Sequence, residues 1–115
     1  MAIPTPGQPV RGSRSGAPIM ALFDLLGRRW GMGVLWRLSE GPCSFRVLQE
    51  RCETISPTIL NRRLKELREA EFIVRCDQGY CLTDLGRELH QMLVPLSCFS
   101  RQWAEVLRDE TEEPS

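Results

Sequence analysis

Apolar residues recur along the chain with two different periods, and the changes between them mark its organisation. From Pro18 to Gly27, Ile19, Leu22, Phe23 and Leu26 follow a helical spacing, which predicts a first helix ending near Gly27. A second helix is predicted from Trp30 to Glu40, burying Val34, Leu35 and Leu38 and stopped by Gly41-Pro42. Gly31 and Gly33 weaken its first turns, and their small size is compatible with a close helix crossing. Ser44 to Cys52 reads as a short third helix, with Ser44 as its cap, Phe45 and Leu48 inward, and Arg46, Gln49 and Arg51 outward. Glu53 to Ser56 supply a turn. A helix over residues 57–71 then puts Leu60, Leu64 and Leu67 on one stripe with Ile59 beside it. Ser56-Pro57 opens it, because the serine oxygen accepts from an orphan amide and proline has no donor to lose.

The period then falls to two. Ile73 to Cys76 and Tyr80 to Thr83 alternate around Asp77-Gln78-Gly79, which predicts a tight hairpin. With Gln78-Gly79 as the turn, Cys76 faces Cys81 directly; Cys43 is placed to join a short strand pairing with this hairpin. A last helix opens at Thr83 or Asp84. Leu85, Leu89, Met92, Leu96, Phe99, Trp103 and Val106 form a heptad seam along it, longer than a small domain needs for its own core. The surplus of this seam, with Leu89, Met92, Leu96, Phe99 and Trp103, is expected to meet another chain. Pro95 predicts a kink or a break. Residues 1–17, rich in proline and glycine, read as a disordered arm, and residues 108–115 as an acidic flexible tail. The fold class is therefore mainly α with a small β-hairpin: a winged helix-turn-helix over residues 18–107, followed by a C-terminal helix longer than the domain.

The formal net charge is zero, which argues against a polyanionic partner until its distribution is considered. Residues 11–75 hold twelve Arg or Lys against seven Asp or Glu, and residues 76–115 hold three against eight. Fourteen of the fifteen basic residues are arginine, which suits bidentate contacts to phosphate or guanine, although a GC-rich genome gives the same bias. Five cysteines, without a secretory pattern, fit a reducing compartment, and no apolar run is long enough to span a bilayer.

Opposite its leucines, the helix over 57–71 presents Thr58, Asn61, Arg62 and Lys65. Arg62 matches guanine, Asn61 adenine and Lys65 phosphate. Ser56, Arg63, Arg46 and Arg75 complete the expected DNA-binding set, with Arg63 equally placed to brace a neighbouring acid. Glu66, Glu69 and Glu71 are expected to repel DNA and so confine contact to the first two turns. The only histidine, His90, lies among seam residues, and no phosphate loop, hydrolase nucleophile or zinc motif occurs, so an enzyme is not expected and no metal or other cofactor is assigned. Cys76 and Cys81 are the candidate redox pair.

The runs LFDLLGRRWGMGVLWRLSEGPCSF, ISPTILNRRLKELREAEFIVR and YCLTDLGRELHQMLVPL, followed by Trp103, resemble the HxlR-type winged helix-turn-helix transcriptional regulators over residues 18–107. Gly27 with Trp30, Phe45, Ile55-Ser56, Leu60, Arg63, Leu64, Leu82-Thr83, Leu85-Gly86, Pro95 and Trp103 carry the resemblance. It implies a bacterial or archaeal cytoplasmic homodimer that binds double-stranded DNA, with N- and C-terminal dimerisation helices interlocked, Leu22 and Phe23 of the first joining the seam residues, and a recognition helix in each major groove. A sequence-specific repressor on a pseudo-palindromic operator is the expected function; the sequence names no small-molecule effector for it and leaves room for one. The alternatives are a cysteine-based redox or electrophile sensor and a winged-helix protein-interaction module without DNA binding. Three departures from the family pattern stand out. The wing is short, Ala17 stands where sensing members commonly carry a cysteine, and Cys43-Ser44 replace a basic residue often found before Phe45.

Overall fold

The computed structural model describes residues 3–112. Helix α1 (Pro18–Leu26) begins on a proline and ends at Gly27. Helix α2 (Gly31–Leu38) starts after Trp30, whose φ of 68° turns the chain sharply between the two. The two glycines serve this corner: a Cβ on Gly31 would lie 3.0 Å from the Leu25 carbonyl oxygen, and one on Gly33 would lie 2.8 Å from the Trp30 ring. Helix α3 (Phe45–Arg51) is capped by Ser44, whose oxygen accepts from the Val47 amide.

A tight turn joins α3 to α4 (Pro57–Glu69). Glu53 and Thr54 both take left-handed φ, and their amides close onto the carbonyls of Glu50 and Gln49 at 3.1 and 3.0 Å. This double closure satisfies the last carbonyls of α3 and redirects the chain. The same device ends α4, where the amides of Glu71 and Phe72 bond the carbonyls of Arg68 and Leu67. Glu71, at φ 67°, therefore lies outside the helix, which stops two residues short of the predicted end.

Strands β1 (Ile73–Cys76) and β2 (Gly79–Leu82) form an antiparallel pair. The turn falls one residue earlier than predicted and the pairing shifts by two: Val74 opposes Cys81, Arg75 opposes Tyr80 and Cys76 opposes Gly79. Asp77 and Gln78 form the turn without positive φ, and the left-handed residue that such a turn needs next is Gly79, at φ 121°. Cys43 adds a third edge by exchanging both backbone hydrogen bonds with Tyr80, at 3.1 and 2.9 Å. Its carbonyl passes so close to Gly79 that a Cβ there would lie 2.6 Å away.

Helix α5 (Asp84–Glu112) runs unbroken through the exposed Pro95, so the predicted interruption into two helices is absent. Leu93, two residues earlier, stays packed on the core, which holds the turn that loses a hydrogen bond to the proline. The helix also continues over 108–112, predicted as a flexible tail; residues 113–115 lie outside the described residues. Thr83 caps it by accepting from the Gly86 amide at 3.0 Å, and its hydroxyl donates to the Glu71 carbonyl at 2.6 Å. One side chain thus ties the end of the hairpin to the end of α4.

The core gathers Val34, Leu35 and Leu38 from α2, Leu48 and Cys52, Leu60, Leu64 and Leu67 from α4, and Ile73, Tyr80 and Leu82 from the hairpin. Of the seam, only Leu89 joins it, at 8% exposure, so its predicted place in a dimer interface is corrected: it is a core residue of its own chain. Leu22 likewise packs half-buried on the core. From Cys98 to Asp109 every residue is exposed. At about 1.5 Å per residue, α5 is roughly 44 Å long. It accounts for a longest dimension of 54 Å and a radius of gyration of 16.4 Å, against about 13 Å for a compact domain of about 100 residues.

Residues 3–17 differ from the predicted arm. Pro4 is buried, the Gly7 amide bonds the Gly16 carbonyl at 2.8 Å, Val10 bridges to Ser13, and Arg11 lies 3.6 Å from Asp24 of α1. Proline and glycine here build tight turns that fold the segment back on α1.

Candidate nucleic-acid interface

Three leucines at helical spacing hold α4 against the core, with Leu60, Leu64 and Leu67 fully buried. This fixes the opposite face. Thr58, Asn61, Arg62 and Lys65 all lie exposed on one stripe of it, at the i, i+3, i+4 and i+7 positions. Among the described residues, none of these four side chains enters a hydrogen bond or an ion pair. Ser56 caps the helix, its oxygen accepting from the Ile59 amide at 3.5 Å, so four uncommitted polar groups sit on the first turns of a firmly seated helix.

Arg63 leaves this set. Its Nε donates to the Arg29 carbonyl at 2.6 Å and its Nη1 to Glu66 Oε1 at 2.7 Å, and its side chain is only 13% exposed. It braces an acid rather than offering itself to phosphate. Glu66 is also corrected: it is 2% exposed and turned inward, its second oxygen taken by Arg28 at 2.5 Å. With its charge met by two guanidiniums, Glu66 adds nothing to the exposed face, leaving Glu69 and Glu71 as the exposed acids at and just past the end of α4.

Arg46, on α3, is 3.7 Å from Glu50, with both side chains well exposed, so this pair holds it only weakly. Arg75, on the wing, rests its guanidinium 5.4 Å from the centre of the Tyr80 ring. Both lie outside the α4 stripe. Arg28 and Arg29 were missed as members of the site's surroundings; the doubled arginine after α1 was the available signal.

The five cysteines are free thiols. Cys76 and Cys81 are diagonal neighbours on the outer face of the wing rather than direct opposites. Burial raises the Cys81 thiol pKa, and a hydrogen bond with Cys76 raises it further. Burial likewise pushes up Cys43 and Cys52, which belong to the core. Among the described residues no group of three or more His, Cys, Asp or Glu could hold a metal ion. His90 packs its ring against Trp36, with centroids 4.8 Å apart. No helix among the described residues is long and apolar enough to cross a membrane.

The other predicted surface is apolar. Phe23 on α1 and Met92, Leu96, Phe99 and Trp103 on α5 are 55 to 72% exposed.

A short helix, a tight turn, a second helix with a leucine back and a free polar front, and a hairpin after it together define a winged helix-turn-helix transcriptional regulator. The chain belongs to the HxlR-like helix-turn-helix family, whose model matches residues 25–108. It is 31% identical over 90 residues to the HTH-type transcriptional regulator YodB of Bacillus subtilis, covering 72% of this chain and 80% of YodB. It is 26% identical over 108 residues to YybR of the same organism, an uncharacterised HTH-type transcriptional regulator, covering 87% and 82%. Among solved structures, the reduced form of YodB matches with a TM-score of 0.67 at 31% identity, over 77% of this chain and 95% of that one. A possible HxlR family transcriptional factor from Thermoplasma volcanium matches with a TM-score of 0.65 at 29% identity, over 79% and 84%. These relatives are transcriptional regulators, and DNA binding is what the family implies.

Proposed function

We propose that this regulator is a sequence-specific repressor that acts in the cytoplasm as a homodimer on a pseudo-palindromic DNA operator. The observation that carries the reading is the α4 face, where Thr58, Asn61, Arg62 and Lys65 stand exposed and uncommitted in front of three fully buried leucines. A helix with its side chains is about 10 to 12 Å across and the major groove about 12 Å wide, so this face enters as a unit. Arg62 reads guanine, Asn61 adenine, Thr58 adds a hydroxyl at the helix start, and Lys65 neutralises phosphate. Ser56 fixes the helix end, while Arg46 and Arg75 flank it for backbone contacts. With only Asp77 and Gln78 in its turn, the wing meets phosphate and does not penetrate the minor groove.

A second copy covers the apolar stripe of Phe23, Met92, Leu96, Phe99 and Trp103, setting two α4 helices about one turn of DNA apart. The regulator represses by occupying its site and performs no chemistry. The test is Arg62→Ala combined with Lys65→Ala, read by mobility shift at fixed salt on duplex selected from a random pool. Affinity is expected to fall more than about tenfold; a change within about twofold rejects the reading.

A further inference from the structure

Beside the exposed stripe of α4 lies a concave site that shares only Arg62 with it. The corner between α1 and α2, the flank of α4 and the folded N-terminal segment enclose a cleft of about 420 Å³. Five arginines line it, Arg11, Arg28, Arg29, Arg62 and Arg63, against two acids, Asp24 and Glu66. Three positive charges are thus left over in one cavity, in a chain whose total is zero.

The acids are used internally. Glu66 is shared by Arg28 and Arg63, and Asp24, 8% exposed, lies 3.6 Å from Arg11. That last pair sets the Arg11 guanidinium on the rim, where its side chain remains 79% exposed. Among the described residues, neither the Arg29 nor the Arg62 side chain has a hydrogen bond or ion pair; it is the Arg29 carbonyl that Arg63 holds. A concave surface with excess charge of one sign focuses potential, and the planar guanidinium fork matches a phosphate oxygen pair.

We infer that this cleft grips a phosphodiester of the DNA backbone bordering the major groove that α4 enters. The inference rests on the reading of α4 above and extends it. Arg62 belongs to both surfaces, standing on the groove-facing stripe and lining the cleft. Because α4 nearly fills a groove about 12 Å wide, a phosphate strand must run along each flank of the helix. On the α1 side that strand passes over Arg28, Arg29 and Arg11. The folded N-terminal segment then has a physical purpose: Asp24 anchors Arg11 to the side of the duplex.

The discriminating variant is Arg11→Gln with Arg29→Gln, since both side chains are exposed and neither supports the core. Affinity is measured between about 50 and about 200 mM salt, on the selected duplex and on a scrambled one. Losing two phosphate contacts makes the slope of log affinity against log salt shallower by about one to two, with both duplexes weakened by the same factor. An unchanged slope in a variant that binds the selected duplex normally overturns the inference and leaves the α4 reading standing. If the wild type retards neither duplex, the α4 reading fails. A calorimetric titration with pyrophosphate is then expected to show binding that the variant loses, which assigns the cleft to free phosphorylated molecules and overturns the backbone inference.

Discussion

Arg28 meets Glu66 at 2.5 Å across a sequence separation of 38 residues, joining the corner of the first two helices to the middle of α4. The carboxylate also serves Arg63 at 2.7 Å, so a single acid neutralises part of a basic cluster inside the fold. Glu66→Ala leaves two poorly solvated guanidiniums without their counter-charge. Urea unfolding is expected to show a loss of about 3 kcal/mol, because removing one partner of a buried pair strands the other. Glu69→Ala, at an exposed position of the same helix, is expected to change stability by less than about 0.5 kcal/mol.

The proposed DNA contacts of the α4 face are separable. Asn61→Ala and Arg62→Ala are each expected to cost about 1 to 3 kcal/mol and to relax preference at one base pair. Lys65→Ala is expected to weaken every duplex alike and to reduce the salt slope by about one. Mobility shifts on a set of single-base variants distinguish the two patterns.

Two seam residues that look alike in sequence behave differently in the fold. Phe99 is 58% exposed and Leu89 8%. Phe99→Asp is expected to dissociate the proposed dimer, as read by sedimentation, while circular dichroism still reports a folded domain. Leu89→Ala is expected to lower the stability of the subunit itself by about 2 to 3 kcal/mol.

Gly86 lies where the first turn of α5 crosses the Phe72 carbonyl, and a Cβ built on it falls 2.0 Å from that oxygen. Gly86→Ala must therefore displace α5 or the end of α4. The loss is expected to exceed the gain of about 1 kcal/mol that alanine brings to an open helical position, giving a lower melting temperature.

The thiols should react in an order set by burial. Cys98 is exposed, whereas Cys43 and Cys52 are buried, and burial raises their thiol pKa values above the ordinary thiol range. Iodoacetamide at neutral pH is expected to label Cys98 first and the core pair last, followed by mass spectrometry. Because the folded state holds these two protons more tightly than the unfolded chain, their contribution to stability is complete below about pH 9 and is lost as pH rises through the raised values. A Cys43→Ala, Cys52→Ala double variant is expected to lose less stability between pH 8 and pH 10 than the wild type does, as read from urea midpoints.

Elements with local signals were legible in the sequence. Ser44 and Ser56-Pro57 mark helix starts by their own chemistry, and Leu60, Leu64 and Leu67 declare the buried side of α4 by spacing alone. The exposed stripe from Met92 to Trp103 followed from the same reasoning. What escaped was set by distant partners. Glu66 sits on the flank of α4, and only the approach of Arg28 makes that flank an interior. The hairpin register turned on whether Gly79 formed the turn or followed it, and the deciding neighbour is the Cys43 carbonyl, far away in sequence. The course of residues 3–17 depends on Asp24, which no pattern within the segment announces.

The outer half of α5 has consequences for dosage. A helix that reaches beyond its own domain with its apolar side uncovered would gain stability by pairing in the proposed assembly. In the proposed assembly the DNA-binding species forms from two molecules, so below the pairing threshold its abundance rises with the square of the protein's concentration. Halving expression would then empty the operator about fourfold rather than twofold, giving a sharp genetic response without any cooperative contact on the DNA.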